Sequence, residues 1–197
     1  MNYSYWENKE WFNGNDFTIV GSGIVGLTCA ISLREKYPNS KIIILEKGVL
    51  PQGGSTKNAG FACFGSITEI IDDLQNHSES EVISLIKKRK EGLDYLRNLV
   101  GDKNLNFKQN GGFEIFPKKD NGIYENCLLK LKEINNFLRH LFPSDVFEIK
   151  ENKFEFNQII NKLILNPHEG QLDTGMMMEA LIDKVKRKNI NMLKNIN

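Results

Sequence analysis

Between Phe17 and Glu46 the chain reads as a short apolar strand, a glycine-rich turn that opens a helix, and a second strand that ends in an acid. Phe17-Thr18-Ile19-Val20 is β-type, and Gly21-Ser22-Gly23-Ile24-Val25-Gly26 follows it directly with the spacing GxGxxG. Ile24, Leu27, Ala30, Ile31 and Leu33 then recur at helical intervals. Tyr37-Pro38-Asn39 ends that helix, because the residue before a proline disfavours the α region. Lys41 to Leu45 is an isoleucine-rich strand, and Glu46 stands 20 positions after Gly26. This order is that of a βαβ nucleotide-binding unit. Gly21 permits the tight turn, Gly23 lets the backbone approach a pyrophosphate, and Gly26 lets the helix pack closely on the strand. The phosphates sit on free N–H groups at the helix N-terminus. Glu46 is placed to accept hydrogen bonds from a ribose diol and to repel the 2′-phosphate of NADP.

A second glycine-rich, hydroxyl-bearing loop, Gly53-Gly54-Ser55-Thr56-Lys57-Asn58-Ala59-Gly60, follows soon after the acid. A solvated surface loop would have this composition. An NAD domain has no need of such a loop there, whereas a dinucleotide with more polar surface past its pyrophosphate would use the hydroxyls and N–H groups.

Glu46-Lys47 followed by GGSTKNAGFACFGS resembles the FAD-dependent oxidoreductases of the D-amino-acid oxidase family, DadA-like and glycine/sarcosine oxidases, in which a Ser-Thr-x-Asn-Ala-Gly segment follows the acid. Glu169-Gly170-Gln171-Leu172-Asp173-Thr174-Gly175 resembles the same family's GxxDPG segment, with Thr174 where proline is usual. The resemblance implies an α/β fold: a Rossmann-like FAD-binding domain with an inserted α+β substrate domain. It implies FAD as cofactor and hydride transfer to flavin from the carbon of a small-molecule amine or amino acid. It assigns the pyrophosphate to the backbone of Gly21, Ser22, Gly23, Ile24, Val25 and Gly26 with hydroxyl help from Ser55 and Thr56. Glu46 would hold the ribose, Lys47 would lie near the adenine end, and Asn58, Ala59 and Gly60 would approach the isoalloxazine. Family members continue for roughly as long again, so the expectation is an N-terminal fragment, truncated at its C-terminus, with no catalytic acid or base to name. The expected division is a lead-in over 1–16, a first part of the FAD-binding domain over 17–76, a partial substrate domain over 77–166, and an incomplete return to the FAD-binding domain over 167–197. Two readings compete with an amine-oxidising flavoenzyme: an NAD-dependent dehydrogenase, and a non-catalytic nucleotide-binding fragment.

The remaining features narrow the class. The 197 residues can bury a sizeable core. With 26 basic and 25 acidic residues the net charge is +1, which gives no electrostatic footprint for nucleic acid. Cys29, Cys63 and Cys127 form no CxxC pair and are odd in number, fitting a reduced, cytoplasmic protein; Cys63 is expected as a small buried hydrophobe beside the flavin loop. No apolar run suits a membrane span, and Glu7 and Glu10 interrupt the place of a signal peptide. His77, His140 and His168 show no metal-ligand spacing, so no metal is expected and His168 reads as structural.

Downstream, Ser66 with Glu69 and Ser78 with Glu81 have the capping-box form. The first opens a helix through Ile67, Ile70, Ile71 and Leu74. The second opens a longer one buried at Val82, Ile86, Leu93, Leu96 and Val100 and stopped at Gly101, with Lys87 to Lys90 solvated. A strand is expected at Phe113–Phe116 and a helix at about Tyr124–Leu141, buried at Leu128, Leu131, Phe137 and Leu138. Further strands are expected at Val146–Ile149, Lys153–Phe156 and Lys162–Leu165. Asp173 is the expected N-cap of a helix carrying Met176, Met177, Ala180, Leu181 and Val185, followed by a strand at Ile190–Leu193. The aromatics of the first 16 residues are expected to pack on the domain surface.

Overall fold

The computed structural model describes residues 3–196. In chain order its elements are α1 (Tyr5–Glu7), a π-helical turn (Asn8–Phe12), β1 (Phe17–Val20), α2 (Ile24–Lys36), β2 (Ile42–Leu45), β3 (Phe61–Ala62), α3 (Ile67–Asn76) and α4 (Glu79–Val100). Then come α5 (Asp102–Leu105), β4 (Gly112–Glu114), a 3-10 turn (Lys118–Asp120), α6 (Asn121–Leu138), β5 (Glu148–Glu151), β6 (Lys162–Asn166), β7 (Gly170–Gln171), α7 (Thr174–Arg187) and β8 (Asn191–Leu193). The chain divides into two units: the first takes the residues up to Gly60, Val100–Asn106 and Asp173 onward, the second Phe61–Leu99 and Phe107–Leu172.

The first unit is a parallel sheet in the order β1-β2-β8, with Phe17 opposite Ile42 and Ile43 opposite Asn191. Because β2 is the central strand, Ile42, Ile43 and Ile44 are all buried, which is why it reads as an unbroken apolar run rather than an alternation. Helix α2 presents Leu27, Ala30 and Ile31 to the core and packs against α7. Asp173 caps α7, its Oδ1 accepting from Met176 N–H at 2.9 Å. The buried face of α7 is Met177, Met178, Leu181 and Val185; Met176, expected inside, is exposed, since the apolar stripe begins one residue later. In the N-terminal turns Tyr5 and Trp6 are 70% and 67% exposed and meet each other edge to face rather than packing on a core.

In the second unit β4, β6 and β5 form an antiparallel sheet with β6 central, and β3 pairs antiparallel with β7. Ile67 and Ile70 of α3, Val82 and Ile86 of α4, Ile134 and Leu138 of α6 and Ile164 of β6 share one core. Ser78 and Glu81 close a reciprocal capping box, whereas Ser66 caps α3 alone and Glu69 turns instead to Arg89 at 2.8 Å. Arg89 also donates to the Phe64 carbonyl at 2.9 Å, so this member of the basic run is structural. Helix α4 stops where expected, with Gly101 at φ 86°.

The face of α6 differs from the sequence expectation. Tyr124, Cys127, Ile134, Asn135 and Leu138 are buried, while Leu128, Leu131 and Phe137 pack at its margin. Asn135 is drawn inside because its side chain serves three backbone groups: Nδ2 donates to Phe147 O at 2.8 Å, and Oδ1 accepts from Val146 and Phe147 N–H at 3.1 and 2.9 Å. No strand forms over 153–156; Asn152 Nδ2 donates to Phe156 O at 3.0 Å and Glu155 has φ 57°, making this stretch the turn between β5 and β6.

Candidate functional site

Three of the glycines in the GxGxxG loop are held to their identity by different contacts. Gly21 has φ 92°, a conformation that side chains resist, and its N–H donates to Leu45 O at 2.8 Å, continuing the ladder between β1 and β2. A Cβ on Gly26 would collide with the carbonyl oxygen of Gly21. Gly23 is the N-cap of α2 in extended conformation and offers no side-chain cap.

That missing cap is supplied from the second glycine loop. Ser55 Oγ accepts from Ile24 N–H at 3.0 Å, and a Cβ on Gly23 would stand 2.9 Å from the same oxygen. The two glycine loops therefore meet at the positive end of α2, where backbone N–H groups favour an anion. Val25, beside them in the first turn, is 81% exposed.

Glu46 is 8% exposed. Its Oε2 accepts from Ser22 N–H at 2.8 Å and Ser22 Oγ–H at 2.6 Å, and its Oε1 accepts from Gly48 N–H at 2.9 Å. The Ser22 hydroxyl above all, then the Gly48 N–H, hold its carboxyl below the ordinary value, against the opposing effect of burial. The carboxylate is thus ionised at neutral pH and retains one of about four acceptor sites. Gly48 belongs to neither glycine-rich motif, yet a Cβ there would come within 2.5 Å of Leu50 O.

The other residues of the second loop are turned inward on it. Thr56 Oγ1 donates to Pro51 O and Gly53 O at 3.0 and 3.1 Å. Asn58 Nδ2 donates to Gly54 O and Ser55 O at 3.1 and 3.0 Å, and its Oδ1 accepts from Gly60 N–H at 3.0 Å. Gly60 is buried with φ 76°, while Lys47 and Ala59 are exposed. The structure therefore gathers Gly21 to Gly26, Glu46 and Ser55 at one place, with Thr56 and Asn58 bracing the loop that carries Ser55.

The family model described as "FAD dependent oxidoreductase" matches residues 16–196. The chain belongs to this family. FAD is the family's cofactor, and the cradle fits it: the helix N-terminus, the glycines that a Cβ would fill, and an ionised acid with an acceptor site to spare all lie together. Among solved structures, glycine oxidase from Geobacillus kaustophilus is 16% identical with a TM-score of 0.61 over 91% of this chain and 46% of that one. L-amino acid deaminase from Proteus vulgaris is 16% identical with a TM-score of 0.59 over 94% and 41%. NikD, an amino acid oxidase essential for nikkomycin biosynthesis, is 15% identical with a TM-score of 0.61 over 91% and 43%. The chain thus spans under half the length of these neighbours, which share its mixed α/β fold. A shorter likeness, 51% identity over 53 residues, links 24% of this chain to 17% of the thiamine thiazole synthase of Coprinopsis cinerea.

The second unit holds further chemistry-bearing residues, of which Cys63 and Glu169 lie in the quoted segments while Glu114 and Asn166 belong to no motif. Cys63 is an exposed residue rather than the buried one expected; the partial shielding of its sulfur from solvent, then the charges of Glu169 and Glu69, raise its pKa. His168 lies tilted against Phe142 with ring centroids 4.9 Å apart and meets Ser144 Oγ at 3.2 Å, the structural role its sequence context suggests. Glu114, Asn166 and Glu169 come together although 55 residues separate the first from the last. The only sequence signal for Glu114 was the alternation from Phe113 to Phe116.

Proposed function

We propose that the chain supplies the dinucleotide cradle of a flavoenzyme that oxidises a small-molecule amine or amino acid. The observation that carries this reading is the meeting of Ser55 and the GxGxxG loop at the N-terminus of α2 beside an inward-held Glu46. The N–H groups of the first turn of α2 would hold the FAD pyrophosphate, with the Ser55 hydroxyl beside them. Glu46 accepts from the ribose with its remaining lone pair, and Ser22 and Gly48 orient it for that. Thr56 and Asn58 hold the loop in shape; Lys47 would serve the adenine end, and Ala59 and Gly60 the isoalloxazine. When bound, the flavin supplies the acceptor for a hydride from the carbon bearing the amine.

The amine-oxidising assignment is supported by neighbours that are amino acid oxidases and deaminases. The thiamine thiazole synthase likeness reaches a quarter of the chain, whereas the oxidoreductase family spans nearly all of it, so the oxidoreductase reading is preferred. Free Cys29, Cys63 and Cys127 support a reducing, cytoplasmic setting. Among the described residues no helix is long and apolar enough to cross a membrane.

Thermal unfolding with each dinucleotide tests the cofactor assignment. FAD should raise the midpoint by several degrees and NAD should not, because a ligand stabilises only the state that binds it. Protection by NAD alone would contradict the proposal.

A further inference from the structure

Within the second unit a cavity of about 190 Å³ lies against one face of the β4-β6-β5 sheet, lined among others by Cys63, Ser66, Glu114, Phe147, Asn166 and Glu169. Gly112 is opposite Asn166 and Glu114 is opposite Ile164, so these four share that face. Glu169 Oε1 accepts from Phe64 N–H at 3.0 Å, while its Oε2 occupies the space that a side chain on Gly112 would need. Glu114 Oε1 accepts from the Thr68 hydroxyl, and its Oε2 is buried with no partner among the described residues.

Asn166 is 3% exposed. Its Oδ1 accepts from His168 N–H at 3.1 Å, which fixes the orientation of the amide and leaves Nδ2, also buried, with no partner among the described residues. The cavity therefore offers an orphan acceptor on a carboxylate, an orphan amide donor, and a second carboxylate whose pKa is raised chiefly by burial, with the charges of Glu114 and Glu69 adding to it. A buried polar group left unpaired is costly, and two acids around one small cavity call for a cation. Among the described residues no three His, Cys, Asp or Glu are grouped to hold a metal ion, and the orphan Asn166 amide donor cannot ligate one, so a cation that itself donates N–H bonds fits the lining. The volume exceeds the roughly 30 Å³ share of one water several times over and suits a small organic molecule.

We propose that this cavity binds a small primary ammonium ion that also carries a neutral oxygen acceptor, of the amino-alcohol or amino-amide class. The ammonium donates to Glu114 Oε2 and faces Glu169, and the oxygen accepts from Asn166 Nδ2. A zwitterionic amino acid is disfavoured, since its carboxylate would face two acidic side chains with one orphan donor between them. The site rests on the second unit's side chains and not on the flavin reading.

Calorimetric titration of the full chain without flavin, using ethanolamine, propylamine and glycine at constant ionic strength, is the test. Ethanolamine should bind, propylamine about fivefold more weakly for want of one hydrogen bond, and glycine more weakly still. Glu114→Gln keeps an acceptor for Thr68 and should weaken ethanolamine tenfold or more. No heat with ethanolamine would overturn the proposal, as would unchanged affinity in Glu114→Gln. Equal binding of ethanolamine and propylamine would overturn the role given to Asn166. The comparison of the three amines needs no variant, so it stands even where a substitution unfolds the protein.

Discussion

Gly26 and Glu46 show how much of the cradle single residues decide. A Cβ at position 26 meets a backbone carbonyl, which cannot rotate away as a side chain can. Gly26→Ala should therefore lower stability by about 1–3 kcal/mol, the range of overpacked sites, and weaken FAD binding with it; chemical denaturation would measure the first and flavin titration the second. Glu46 gives a pH signature. Its folded-state pKa lies below the ordinary 4.5, so the stability it contributes is present above that value and disappears as pH falls through the folded-state value. Glu46→Gln should flatten the dependence of the denaturation midpoint on pH in that acid range. An unaltered acid limb would show that Ser22 and Gly48 do not hold the carboxylate ionised. The spacing of Gly21, Gly23, Gly26 and Glu46 was legible in the sequence because each job is set within one βαβ unit. The capping of Ile24 by Ser55 was not, because it depends on how a loop 31 residues later folds back.

At the scale of elements, caps were the clearest signals. Asp173 opens α7, Ser66 opens α3, and Gly101 follows α4, all by bonds or dihedral angles confined to a few residues. Asp173→Ala should cost about 1 kcal/mol, read as a shift in the denaturation midpoint at constant slope. Helix α6 is the contrary case. Its period was readable, but its buried face was displaced because Asn135 binds the chain entering β5, and hydrophobic spacing carries no record of that bond. Asn135→Leu, similar in volume, leaves two N–H groups and one carbonyl without their partner and should destabilise the protein by about 3 kcal/mol or more. A loss under 1 kcal/mol would show that these groups find other partners. Residues 153–156 have the composition of a strand, yet the turn joining β5 to β6 claims them, since β-propensity yields to the geometry of the hairpin around it.

For the whole molecule, the family extends over residues 16–196, and the first unit brings β1, α2, β2, α7 and β8 into a parallel arrangement whose strand order is half of a dinucleotide-binding sheet. The chain covers 46% of the glycine oxidase it resembles, and what is proposed of it is confined to the cradle: that its residues hold FAD. The direct measurement is the visible absorption spectrum of the purified chain after incubation with FAD and desalting. A flavin spectrum should stay with the protein and be lost or much reduced in Glu46→Ala. A folded protein that emerges colourless at saturating FAD would contradict it.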